Sequence, residues 1–251
     1  MSDADWRSAE RYAALCEFSP AGLAWEFLRR NPQYQDDFAR WSRGNTGDAG
    51  RWTKWGLTFP ADPQLSANEQ AIFWRPDVYP RTVVLTAAPA ATPQTIPYEP
   101  QTWRGDLIER RADDGAHALL ITPRLQHRLW MPAAIAAGQP VACVVPLGAD
   151  AACGAAAAVQ FWRHLKGHAD AAPRRADSRL RRAHLSLQAL DGHSAGESYR
   201  ALAERFFGAG RVAAESWRTS SLRDATIRLV RTGLALASGN YRRLLRQKIE
   251  E

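Results

Sequence analysis

The sequence predicts an α+β protein with N-terminal helices, a small, mainly antiparallel central sheet and an all-helical C-terminal region. Three observations predict it. Proline-started amphipathic segments fill the first 45 or so residues. A series of short β-branched and aromatic runs, broken by Pro, Gly and Asp, occupies roughly residues 52–150. From about residue 175 the apolar spacing is helical throughout. At 251 residues the chain suits one large domain or two small ones. The division read here is 1–170, a helical and β-rich region, and 171–251, an all-helical one.

Asp5–Cys16 opens the helical part, with Trp6, Ala9, Tyr12, Ala13 and Cys16 at helical spacing. "SPAGLAWEFLRRNP" follows, with Ser19 placed to cap and Pro20 at the first helical position. Asn31-Pro32 interrupts it, and "PQYQDDFARW" starts another helix on its own proline. "SRGNTGDAG" reads as a loop.

The predicted strands are "WGLTF", "AIFW", "RTVVLTA", "GDLIERRA", "HALLITP" and "PVACVVP". "RADDGAH" supplies a hairpin turn between the fourth and fifth. Ala149–Gly167 returns to helix, with Val159, Trp162 and Leu165 on its apolar side. "HADAAPRRADS" lacks periodicity and reads as a linker.

Beyond it, "SRLRRAHLSLQALDG" ends on Gly192, read as a C-cap. "ESYRALAERFFG" has Tyr199, Leu202, Ala203 and Phe206 on one face, Ala203 being small enough for a second helix to cross closely. Gly208 comes one residue late for the usual helix-turn-helix, and "AGRVAAESW" is too long for its turn. In "SSLRDATIRLVRTGLALAS", Ser221 and Asp224 form a capping-box-like pair. Leu222, Ala225, Leu229 and Leu236 form the expected core stripe, with Arg223, Arg228 and Arg231 away from it. "NYRRLLRQKIEE" closes the chain with Arg242 and Arg243.

Charge separates the regions. Residues 1–170 hold 17 Lys/Arg and 18 Asp/Glu, whereas residues 171–251 hold 16 and 8. The positive excess therefore sits in the last third and is almost all arginine, whose planar fork suits phosphates and guanine edges. A basic segment on a near-neutral one points to a polyanionic partner. An arginine-bearing helix fits the major groove, and hydroxyls and free N–H groups at its start can meet phosphate. The candidate DNA-contacting residues are accordingly Arg218, Ser220, Ser221, Arg223, Arg228, Arg231, Arg242 and Arg243.

Other classes find less support. No run of about 18 apolar residues marks a membrane span, and the acid-bearing N-terminus is not a signal peptide. Cys16, Cys143 and Cys153 lack metal-type spacing and read as free thiols. His164 and His168 stand i, i+4, but no Glu follows His164 as HExxH requires, and no third ligand is evident. "GADAACGAAAA" lacks the GK[ST] ending of a phosphate loop. His117 and His127 join no catalytic arrangement, so the reading is not an enzyme.

The C-terminal third resembles the RovC-like DNA-binding domain, which occurs in proteobacterial regulators of type VI secretion and of conjugative-element transfer. The resemblance is carried by "YRALAERFFG", the tryptophan of "ESWR", "LRDATIRLVRTGLAL" and "SGNYRRLL". "AWEFLRRNPQYQDDF" is similar to the transcriptional-regulator-like module found ahead of that domain. The resemblance implies a helix-turn-helix variant, which accounts for the turn spacing. It implies a sequence-specific bacterial transcription regulator, an activator of type VI secretion or mobile-element genes. The implied partners are double-stranded promoter DNA, further copies of the chain (a hexamer or dimer-based assembly) and, for an activator, RNA polymerase. No cofactor, metal or membrane is expected, and the protein is read as cytoplasmic and nucleoid-associated, with 171–251 as the DNA-binding domain and 1–170 as the regulatory and oligomerisation region. The alternative is a protein-binding antiactivator or assembly scaffold, as some relatives are.

Overall fold

The computed structural model describes residues 6–7, 12, 19–44, 49–90, 95–123, 125–168 and 178–246. The helix expected over Asp5–Cys16 and the linker at 168–178 lie largely outside the described residues, and Cys16 entirely so.

The chain forms two compact units. The first joins Met1–Gly47, Asp62–Gln70 and Arg174–Leu244; the second joins Asp48–Ala61, Ala71–Pro173 and Leu245–Glu251. The grouping differs from chain order, because the N-terminal helices pack with the C-terminal ones.

In the helical unit, α1 (Pro20–Leu28) and α2 (Pro32–Ser42) begin as their sequences predict. Ser19 Oγ accepts from Gly22 N at 3.2 Å, and Asn31 Oδ1 accepts from Gln33 N and Tyr34 N at 2.9 and 3.2 Å. Each cap satisfies first-turn donors that would otherwise be orphaned, and each proline removes one. The remaining helices are α4 (Ser178–Ser194), α5 (Tyr199–Phe207), α6 (Ala209–Ala213), α7 (Ser221–Ala235) and α8 (Arg242–Leu245). A π turn, Leu236–Asn240, joins the last two.

The expectation that Gly192 caps α4 is corrected. Gly192 lies inside the helix, and Gly196, at φ +84°, comes after its end. A Cβ at Gly192 would lie 2.5 Å from Leu202 Cδ2 and 2.9 Å from the Trp6 ring, so glycine there permits close packing.

In the sheet unit, β1 (Val83–Ala87), β2 (Asp106–Ala112), β3 (Gly115–Ile121), β4 (Gln126–Met131) and β5 (Val141–Val144) lie in the order β2-β3-β4-β1-β5. Among the described residues only the β1–β4 pair is parallel, with Val83 opposite Leu129. The predicted hairpin is present: Ala112 pairs Gly115, whose φ is +124° and whose Cβ, were there one, would collide with the Met131 carbonyl.

Three details depart from the sequence reading. "WGLTF" and "AIFW" form only an isolated bridge, Leu57 to Trp74; Gly56 at φ +75°, Pro60 and Pro76 keep the pair short. Strand β4 was not expected, because His127 and Arg128 interrupt its apolar run. Both side chains are nevertheless buried. Arg128 donates to the Ile72 carbonyl and lies over the Tyr79 ring at 5.4 Å, and burial lowers its pKa. Finally, α3 (Ala151–Leu165) buries Ala157, Phe161 and His164, whereas Val159 and Trp162 are about half exposed. Phe161 sets this face by joining the core of Val83, Leu85, Leu120 and Leu129; Leu165 packs beside it as expected.

Candidate nucleic-acid interface

The seating of α7 decides which of its residues face water. A Cβ at Gly233 would collide with the Ser186 carbonyl oxygen and sit 3.0 Å from Leu190 Cβ, so α4 and α7 meet almost backbone to backbone. Leu222, Thr226, Leu229, Val230 and Gly233 are buried. At about 100° per residue, with Arg223 at zero, this stripe runs from about 240° to about 340°. The stripe expected from sequence included Ala225, which is only half-buried. Thr226 takes its place, with its hydroxyl donating to the Leu222 carbonyl at 2.8 Å.

Opposite the stripe stand Arg231, at about 80°, and Arg228, at about 140°. Both are exposed. Among the described residues neither guanidinium has an acidic partner. Arg223 is half-buried at the flank, 3.6 Å from Asp224. Arg218 is exposed on a 3₁₀ turn, Trp217–Thr219, just before α7. Arg242 and Arg243 are exposed on α8, with Arg242 5.6 Å from the Tyr241 ring centroid. Tyr241 itself is fully buried, and burial pushes its phenol up to about 12 despite the nearby Arg242 charge.

The start of α7 differs from the expected capping pair. Ser220, not Ser221, is the N-cap: its hydroxyl accepts from Leu222 N at 3.1 Å and donates to Glu215 Oε2 at 2.8 Å. It is 3% exposed. The Ser220 hydroxyl is thus committed inside the protein, to Leu222 N and the Glu215 carboxylate. Ser221 remains exposed, and Asp224 turns to Arg223.

The supporting helix α5 places Leu202 and Ala203 in the core, the latter in a cluster with Val212 and Leu222. Tyr199 instead lies largely outside, stacked on His193 at 5.7 Å. "AGRVAAESW" is not an open turn. It contains α6, whose Val212 fills that cluster, entered through Gly208 at φ +90°.

Sequence reasoning missed the residues that brace this bundle. Asn31, the cap of α2, also donates through Nδ2 to the Ala237 carbonyl, 2.9 Å away in the π turn after α7. Arg30 donates Nε to Asp191 Oδ1 at 2.5 Å and Nη2 to Asp191 Oδ2 at 2.7 Å, while Glu26 lies 2.9 Å from its Nη1. Burial alone would lower the Arg30 pKa, but Asp191 and then Glu26 outweigh it and hold it above the ordinary arginine value. Tyr12 Oη adds a bond to Asp191 at 2.6 Å. The only local signal was "RRNP", which marks a helix end and nothing more.

In the sheet unit, His164 Nε2 bonds the Arg104 carbonyl oxygen at 2.8 Å, and its ring lies 5.0 Å from that of His127. His168 turns to Trp162. Among the described residues, no group of three or more His, Cys, Asp or Glu side chains is placed to hold a metal ion. No helix among them is long and apolar enough to cross a membrane.

Comparison with sequence families defines the class: this is a transcriptional regulator with a DNA-binding domain. A family model for the RovC DNA-binding domain, described as a type VI secretion transcription-factor DNA-binding domain, matches residues 144–246. A second, the proteobacterial transcriptional regulator-like domain, matches residues 5–60. The chain carries the regulator-like module ahead of the DNA-binding one. Both describe regulators rather than enzymes. No curated protein matches the chain.

Proposed function

We propose that the chain is a sequence-specific activator that reads double-stranded promoter DNA with α7. The observation that carries this is the pair Arg228 and Arg231: exposed, opposite the buried stripe and without acidic partners among the described residues. Such guanidiniums are ready for guanine O6/N7 or phosphate. Arg218, Arg223, Arg242 and Arg243 neutralise flanking phosphates and supply most of the affinity, while Arg228 and Arg231 supply specificity. Ser220 acts through the position of the helix start, and Ser221 is the hydroxyl offered to phosphate. By resemblance, the targets are type VI secretion or mobile-element genes, the protein acts at the nucleoid as a homo-oligomer, and RNA polymerase is contacted by the activating complex. The 1–170 region serves regulation and assembly.

The test is capture of genomic fragments by the full chain, followed by binding titrations at several salt concentrations. The proposal predicts a defined set of fragments and an affinity that falls steeply with salt, about tenfold or more between 50 and 200 mM. Recovery of a protein partner with no retained fragment would favour the antiactivator reading instead.

A further inference from the structure

The outer face of α7 is not uniformly polar. Ile227, Arg231 and Leu234 follow one another at i, i+4 and i+7, within an arc of about 60°. Ile227 is half-buried, and Leu234 is 43% exposed. A single exposed leucine is ordinary on any protein surface. A leucine and an isoleucine flanking a partner-free arginine on one helix row call for a ligand that is apolar, hydrogen-bonding and apolar in sequence.

We infer that this row reads a guanine flanked by thymines. The inference rests on α7 being the DNA-reading helix, and it specifies the chemistry of what that helix reads. In the major groove the only apolar group on a base edge is the thymine 5-methyl, and guanine presents the acceptor pair that suits arginine. Ile227 and Leu234 are seven residues apart, about 10 Å along the helix. That rise covers about three base-pair steps along a duplex, so four pairs lie under the row. Arg231, about 6 Å along the axis from Ile227 and about 4.5 Å from Leu234, lies over the two inner pairs. The arginine charges favour the anionic duplex, and the apolar pair then discriminates by removing methyl groups from water. Arg228, further round the face, is left for phosphate or a second guanine.

The experiment selects a preferred duplex for the full chain from random DNA. Each thymine in that duplex is then replaced by deoxyuridine, which keeps pairing and charge and lacks the methyl. The inference predicts, in the selected site, two thymines about three steps apart with a guanine at a position between them. It also predicts a loss of about fourfold for each contacted methyl removed. Leu234→Ala should bind the thymine and deoxyuridine duplexes alike at one position, and Ile227→Ala at another. Equal binding of both duplexes by the unaltered protein overturns the thymine reading while DNA binding stands. A full methyl effect that survives in both variants overturns the assignment to this row. Failure to select any duplex overturns the DNA-reading role of α7 and this inference with it.

Discussion

The two units use their arginines in different ways. In the sheet unit Arg128 is buried against the Ile72 carbonyl and Tyr79. Arg75 forks onto Asp77 at 2.9 Å, and Arg110 lies over the Phe59 and Phe73 rings. In the helical unit Arg30 is likewise held inward between carboxylates, with 14% of its side chain exposed, yet Arg228 and Arg231 on α7 are exposed without acidic partners among the described residues. The difference teaches that arginine count alone does not mark a nucleic-acid surface. What marks it is a guanidinium held on a rigid element with nothing of its own to bind.

The sharpest way to break this contrast is to compare an inward arginine with an outward one. Arg30→Ala strands Asp191 and Glu26, and urea unfolding of the full chain should show a loss of about 3–5 kcal/mol. Arg231→Ala, by the same measurement, should change stability by less than about 0.5 kcal/mol. Similar losses for both would erase the distinction.

Tyr241 gives a pH handle on the helical unit. Its folded pKa of about 12 lies above the ordinary 10.0, so its neutral form favours the fold. The contribution is complete below pH 10 and is lost as pH rises towards 12, roughly 3 kcal/mol in all. Tyr241→Phe should remove this alkaline loss; an unchanged pH profile would show that the phenol does not titrate with unfolding.

Gly233→Ala places a methyl against the Ser186 carbonyl and should cost about 1–3 kcal/mol by calorimetry. Because the same contact orients α7, DNA affinity should fall with it. The smallest effect is Ser220→Ala. Loss of the cap should cost about 1 kcal/mol, and Ser220→Asn should recover part of it if capping is the role.

Much of this was legible locally. Ser19-Pro20 and Asn31-Pro32 announced two helix starts, "RADDGAH" a hairpin, and the spacing of Arg228 and Arg231 an outer face on α7. What was hidden depends on partners far along the chain. Arg30 and Asp191 are 161 residues apart, so their bond leaves no periodicity in either neighbourhood. Gly192 reads as a cap because glycine ends helices, but its neighbours Leu202 and Trp6 require it mid-helix. Strand β4 was hidden because its charged and imidazole side chains are buried, which alternation of polarity cannot signal. Ser220 and Ser221 are indistinguishable in sequence; the folded chain places Ser220 as the cap, with its hydroxyl also bonded to Glu215.

The central claim is that the outward arginines of α7 read DNA. The direct measurement is the affinity of the full chain for its selected duplex, comparing Arg228→Ala/Arg231→Ala with Arg104→Ala/Arg111→Ala. The second pair removes the same charge from exposed positions in the sheet unit. The α7 pair should lose about 100-fold or more in affinity, with unchanged thermal unfolding, and the sheet pair far less. Equal losses from the two pairs, or no loss from the α7 pair, would contradict the account.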